Sequence, residues 1–497
     1  MNMDTTATPQ HDRETGLQPR AIGFVGALAL SIAAMGPLLG ALAVAPLIVS
    51  QAGFSAPFIF VMCWIAMVAV ALTIGRFSRV FPGAASIYSY ISHGLGERFG
   101  FLSAWLSFSY YIVFVPLLLT GFGIFAEQMG SQVFSIEVDW WIWALIAAAI
   151  VTGLSIYGIR PSVYTDLALA LIADGFLILI SAIIVVNVIS NGDFTLEPLS
   201  PSNAPDDFTG LSLAVAFGVL IFLGFEQSFV LGEEVTDPHG NVPKAIYAAL
   251  ALVGFVLFFA TFALVLGFGE AGIGRLNDLF AEEGTPWFAL VADEIGSGWV
   301  DVLLVMIVLS ILSNTIASHN AVVRIQYGMG RAGALPRQLG RTLPGRRTPH
   351  VAITAQMTLA VAIALFFGLL WSPTSLFGFL GFMIGLAAAL SFILIAIAAL
   401  RYFHAAARHA SPWRNYVVPV VAIAILTPVV ITSFEPSPGH PLKWAPFVIL
   451  GWVAAGVVYL LYRERRREKI DLEYAFRAAG EEPPPAGASP TLSGHDA

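Results

Sequence analysis

Ser31-Ile32-Ala33-Ala34-Met35-Gly36-Pro37-Leu38-Leu39-Gly40 sits in the middle of an apolar run from Ile22 to Val49. Proline lacks an amide donor and clashes with the preceding turn, while glycine loosens the backbone, so a helix here must break at Gly36-Pro37. A membrane crossing takes about 20 apolar residues, because the hydrocarbon core is roughly 30 Å thick and the helix rises 1.5 Å per residue. The run is therefore long enough to span, and its break falls near the midplane. The pattern returns from Leu211 to Leu231, interrupted at Leu223-Gly224-Phe225-Glu226. Backbone opened at that depth is tolerated only where protein buries it or a cavity receives it. Paired interruptions in corresponding halves of a chain mark the substrate site of a secondary transporter.

Composition agrees with a membrane protein. The 497 residues are 57% hydrophobic and 11% charged, with a mean hydropathy of +0.80; soluble chains carry about 25% charged residues. The single cysteine, Cys63, excludes intramolecular disulfides and thiolate clusters. Hydropathy predicts twelve spans near 22–49, 56–79, 99–128, 140–158, 165–190, 209–232, 243–268, 299–327, 351–371, 374–400, 416–434 and 445–462. With the N-terminus inside, Arg76, Arg79, Arg98, Arg160, Lys244, Arg324, Arg331, Arg337, Arg341, Arg346, Arg347, Arg401, Arg408 and Arg414 all fall on the cytoplasmic side. The external segments receive Arg275 and Lys443 and are otherwise acidic, at Asp193, Glu197, Asp206, Asp207, Glu270, Asp278, Glu282 and Glu283. That bias is the orientation rule for inner-membrane proteins, and it places both termini in the cytoplasm.

The breaks at Pro37 and Gly224 lie 187 residues apart, the same offset as the starts of spans 1 and 6. Five spans per unit place the second unit upside down relative to the first. The expected fold is an all-α membrane protein of about twelve helices, an inverted 5+5 repeat of the leucine-transporter-like kind with helices 1 and 6 discontinuous. Residues 1–21 form a polar cytoplasmic tail, 22–190 the first repeat and 209–400 the second. Helices 11 and 12 occupy 416–462, and 463–497 is a second cytoplasmic tail, largely disordered by its Glu, Pro, Gly and Ser content.

Three strings carry a family resemblance. Phe222-Leu223-Gly224-Phe225-Glu226, continuing through Gly232-Glu233-Glu234 to Asn241-Val242-Pro243-Lys244-Ala245-Ile246, resembles the sixth helix and following loop of amino acid–polyamine–organocation permeases. Phe81-Pro82-Gly83-Ala84-Ala85-Ser86-Ile87-Tyr88 is similar to that family's entry to helix 3, and Asn320 through Pro336 to its loop after helix 8. The resemblance implies a multi-pass symporter of the cell membrane that moves amino acids by alternating access, without cofactor or enzymatic step. A polyamine or organic amine permease, and a substrate exchanger, are the alternatives.

The candidate substrate site comprises Met35, Gly36, Pro37, Tyr110, Tyr111, Leu220, Leu223, Gly224 and Glu226. A carboxylate at the midplane costs at least about 2.5–3.5 kcal/mol, so Glu226 faces a cavity or is protonated, or else hydrogen-bonds loosened backbone; the resemblance implies a part in gating or proton movement. Tyr110 and Tyr111 in span 3 stack on a cation or hydrogen-bond substrate, unless they simply pack. Asp174 in span 5 falls, by register, where many members carry a lysine that replaces sodium; it titrates, pairs with a neighbouring span, helps hold a cation, or is a satisfied interior acid. In span 8, Ser313 and Asn314, with Ser310, Thr315 and Ser318, offer sodium ligands or ordinary helix-packing contacts. Proton coupling through Asp174 and Glu226 is the expectation, with sodium the alternative.

No two of the nine histidines take the spacing His-x-x-x-His, so no metal is expected, and His319 reads as packed or pore-edge. The family's amino-acid carriers usually show a Gly-Ser-Gly run in span 1 for the substrate carboxylate; here the stretch around Met35 lacks it, and Leu220 replaces an aromatic gate. That departure suits an amine as well. A 6+6 carrier with a Gly-Asp-Arg signature, an intramembrane enzyme and a nutrient sensor with a signalling domain each lack their marks. The implied partners are a small molecule, a proton or sodium ion and the lipid bilayer, with no nucleic acid; the sequence sets no oligomeric state.

Overall fold

In the computed structural model, residues 23–80, 87–157, 159–205, 207–226, 235–283, 285–331, 333–343, 348–405, 412–434 and 441–466 are described. The tail 1–21, residues 467–497, Phe81 to Ser86, the second half of span 6 with Gly232-Glu233-Glu234, and Arg346, Arg347 and Arg408 lie outside them. The described residues are predominantly helical, with no strand among them. The first interrupted run is α1 (Phe24–Met35), α2 (Pro37–Leu39), a π-turn at Gly40–Val44 and α3 (Ala45–Ala52). It is followed by α4 (Ala56–Val80), α5 (Ile87–Leu95), α6 (Glu97–Phe134), α7 (Trp140–Tyr157) and α8 (Ile159–Asn191). The second half comprises α9 (Phe208–Phe222), α10 (Pro238–Phe268), the short α11 (Ile273–Glu283) and α12 (Trp287–Glu294), then α13 (Gly298–Arg331), α14 (His350–Leu370) and α15 (Pro373–Ala405). Two further helices, α16 (Val418–Thr432) and α17 (Ala445–Arg465), close the chain.

Among the described residues, ten helical runs are long and apolar enough to cross a membrane, with the shorter apolar α9 beside them. The interrupted pieces are the central ones. α1 packs on α8, α10 and α13, and α9 packs on α3, α4 and α15. Long α6 runs against both α13 and α15. In an apolar solvent the drive for this is close packing and internal hydrogen bonding rather than burial from water. Small residues allow the approach: a Cβ on Gly254 would sit 2.1 Å from the Trp64 ring, and one on Gly456 2.5 Å from Trp105. Buried donors then reach backbone across helices, as Trp64 Nε1 does to the Leu250 carbonyl at 2.9 Å. Trp105 and Trp452 stack at 4.8 Å and each donates its indole N–H to the other's carbonyl at 2.9 Å, fixing α17 on α6.

Candidate functional site

The first break forms as its residues dictate. Gly36 caps α1 in the left-handed conformation (φ 55°), donating its amide to the Ile32 carbonyl at 3.2 Å, and Pro37 opens the next segment. Proline at a first helical position forfeits nothing, because that N–H has no intrahelical acceptor. The bare α-carbon of Gly36 faces Asn314 of α13, whose Nδ2 lies 2.1 Å from where a Cβ would project. Any side chain at position 36 would displace Asn314. The Asn314 Oδ1 accepts from Ser318 Oγ at 3.0 Å, so the amide nitrogen is the group turned toward the break. The neighbouring Ser313 is equally buried on the same helix.

The second break follows α9. Leu223 leaves the helix in an extended conformation (ψ 135°), and Gly224 takes φ 111°, a value open to glycine and strained for other residues. A Cβ there would lie 2.6 Å from the backbone carbon of Ala34 and 2.7 Å from its oxygen. The two interruptions therefore touch, glycine against the last turn of α1. Ser31 Oγ adds a bond from α1 to the Phe225 carbonyl, at 2.9 Å, which takes up one acceptor that the broken helix leaves open.

Glu226 is 1% exposed and fully engaged. Its Oε1 accepts from the Tyr111 hydroxyl of α6 at 2.9 Å, and its Oε2 from the Gly224 amide at 3.2 Å. Tyr110 lies against Tyr111, ring centroids 4.7 Å apart, and interacts with the same carboxylate. Leu220 and Leu223 are buried just before the break, with Leu220 Cδ2 3.1 Å from the Cβ position of Gly381 on α15. Asp174 reaches the first break from α8: its carboxyl lies against the backbone of Leu38, one residue past Pro37. Its other oxygen, Oδ1, is buried and has no hydrogen-bond partner among the described residues.

Residues singled out from sequence in each of spans 1, 3, 5, 6 and 8 thus border one or other break. Met35, Gly36 and Pro37 form the first, Leu223, Gly224 and Glu226 the second, and Tyr111, Asp174 and Asn314 bind them from α6, α8 and α13. His319 does not join them: it lies on α13 with Ser155 Oγ 3.2 Å from its Nδ1 and is packed between helices. Sequence reading passed over two contributors outside the spans. Thr285 Oγ1 donates to the Leu42 carbonyl and Trp287 Nε1 to the Ala41 carbonyl, both at 2.8 Å. These are carbonyls of the π-turn beyond the first break, where the widened ladder leaves acceptors spare. Thr285 lies just before α12 and Trp287 is its first residue, with no local sequence mark to connect them to span 1.

The chain is 24% identical over 301 residues to the low-affinity putrescine importer PlaP of Escherichia coli K12, covering 60% of this chain and 64% of that protein's length. It is 28% identical over 423 residues to the methylthioribose transporter of Bacillus subtilis, covering 82% of this chain and 85% of the relative. The serine/threonine exchanger SteT of the same organism matches at 25% over 362 residues, 71% and 78% of the two chains. The sequence matches the amino acid permease family across residues 26–470. The chain is a multi-pass membrane protein belonging to the amino acid permease family.

Proposed function

We propose that the protein is a secondary active transporter for a small solute bearing an amino group, the class that covers amino acids and amines, and that it works by alternating access in the cell membrane. The observation that carries this reading is the contact of the two interruptions, Gly224 on Ala34, with a buried carboxylate bonded to the opened backbone. Half-helix ends present unpaired amides and carbonyls at membrane depth, and these recognise charged groups without requiring mobile side chains. Relatives named for putrescine import and for serine/threonine exchange support the substrate class.

The fold we propose is twelve spans arranged as an inverted 5+5 repeat with both termini cytoplasmic. Residues 24–77 make one apolar run of 54 residues, more than twice what one crossing needs at about 20. Counted as two crossings, and with the span that begins at α9 counted beside it, it brings the total to twelve. For coupling we propose the proton, carried by Glu226 and Asp174. The Asn314 amide nitrogen, rather than its oxygen, faces the break, which supports the proton over sodium. Uptake of a radiolabelled amine and its parent amino acid into proteoliposomes, with an imposed pH gradient and sodium replaced by an impermeant cation, tests the reading. Accumulation abolished by a protonophore is the expected result. Strict sodium dependence would transfer the ion site to Ser313 and Asn314, and counterflow without either gradient would make the protein an exchanger.

A further inference from the structure

Helix N-termini bind anions because their first amides lack intrahelical acceptors and their dipole favours negative charge. In a transporter built on broken helices, those amides are where an anionic substrate group is held. In this chain backbone amides at both breaks already have partners within the protein. Beyond the first break Pro37 has no N–H, the Gly40 amide donates to the Gly36 carbonyl at 2.9 Å, and the Leu38 backbone holds the carboxyl of Asp174. At the second, the Gly224 amide donates to Glu226 Oε2. Each carboxylate comes from a separate place in the fold, Asp174 from α8 and Glu226 from the break itself, yet each does the same thing.

The two acids differ in what remains of them. Both oxygens of Glu226 are occupied, one by Tyr111 and one by Gly224. Asp174 keeps Oδ1 buried and without a hydrogen-bond partner among the described residues, at 8% exposure for the residue. A buried acceptor left unfilled calls for a donor, and beside a carboxylate the best donor is a cation. A substrate carboxylate brought to the same half-helix would meet like charge at short range, whereas an ammonium would complete the site.

We propose that Asp174 is a specificity-determining residue: by occupying the amide end of the outer half of span 1, it fills the place of a substrate carboxylate and directs the site to organic amines that have none. This rests on the reading that the paired breaks form the substrate site. Amino acids and their decarboxylated amines make the matched probes, since each pair differs by one group: ornithine with putrescine, lysine with cadaverine, serine with ethanolamine. Purified full-length protein is assayed for competition against a labelled amine and, in proteoliposomes, for uptake of both members of each pair.

In the best-bound pair the amine is expected to outcompete its parent by at least about tenfold, as a like-charge contact of this kind requires. Asp174→Asn, nearly identical in size, should shrink that ratio by raising the affinity for the parent amino acid while weakening the amine. Parent amino acids that bind as well as their amines overturn the inference and leave the transporter standing. A ratio unchanged in Asp174→Asn overturns the assignment to Asp174, and the wild-type panel decides the matter alone if the variant fails to fold. Uptake of neither class overturns the transporter reading and the inference with it.

Discussion

Gly224 and Glu226 are two residues apart and are constrained in opposite ways, one by space and one by charge. Gly224 combines a φ of 111° with a Cβ position 2.6 Å from the Ala34 backbone carbon, and backbone does not swing aside as a side chain does. Gly224→Ala is expected to destabilise the protein by roughly 2–4 kcal/mol, the sum of a strained dihedral and an overpacked contact. Gly175, inside α8 with nothing within 4 Å of its Cβ position, is the control. Alanine there should be neutral or stabilise by about 0.5–1 kcal/mol. Thermal unfolding in detergent compares the two, and equal melting would refute the close contact of the breaks. Glu226→Gln preserves size and an oxygen for the Gly224 amide, so its melting should lie within about 1 kcal/mol of wild type. Its proton-driven accumulation should be lost, because a glutamine cannot carry a proton. Unaltered uptake with unaltered pH dependence would make Glu226 a bracket for the break and nothing more.

The first interrupted run shows how an element is opened and then repaired. Beyond Pro37 the helix widens into a π-turn at Gly40–Val44, and the spare carbonyls of Ala41 and Leu42 are taken by Trp287 and Thr285. Those two side chains tie the start of α12 to the second half of span 1. Trp287→Phe keeps an aromatic ring at a fully buried position and deletes the donor, leaving the Ala41 carbonyl unfilled. The expected loss is about 1–3 kcal/mol, with faster amide hydrogen exchange confined to Gly40–Ala52. Thr285→Val should act alike, and the pair should be less than additive if both hold one unit. Exchange unchanged in this stretch would show that the segment rests on span 1 without holding it. The breaks themselves were legible in sequence, because an opened helix at the midplane needs glycine, proline or a buried acid, and each has a chemical signature. Asp174 stood out for the same reason. The clasp did not: Thr285 and Trp287 look like ordinary loop residues until the fold sets them over carbonyls some 240 positions earlier. Nor did sequence show that Tyr110 and Tyr111 both engage Glu226, since which side chains reach it depends on the rotation of α6.

At the scale of the molecule, the contacts between loops bear on orientation. Charge bias assigned Arg98, the loop after span 8 and the end of span 12 to one side. In the fold Arg98 pairs with Glu464 at 2.9 Å, Tyr459 donates to the Ala334 carbonyl at 3.0 Å and Arg463 to that of Gly333 at 3.2 Å. Segments assigned to the opposite side also meet: Ser55 Oγ, between spans 1 and 2, donates to the Ser200 carbonyl at 2.7 Å, and Asn187, near the end of span 5, to that of Glu294 at 2.8 Å. The exposed ion pairs add little stability, as surface pairs are worth about 0–1 kcal/mol; their value here is that each joins segments predicted to share a face. A single span lost or gained between them would put such partners on opposite sides of the bilayer, where no bond could form. The proposed orientation then makes a direct demand. Cys63 is fully buried, so the unmodified chain is a silent background for thiol labelling. A cysteine at exposed Glu197, between α8 and α9, should react with an impermeant maleimide applied to intact cells, and one at exposed Gln338, after α13, should react only once the membrane is opened. Reaction at 338 and protection at 197 would invert the protein in the membrane, leaving the contacts intact but turning the acidic face inward against the charge rule. Reaction at both from outside would break the pairing of faces, and with it the proposed twelve-span topology.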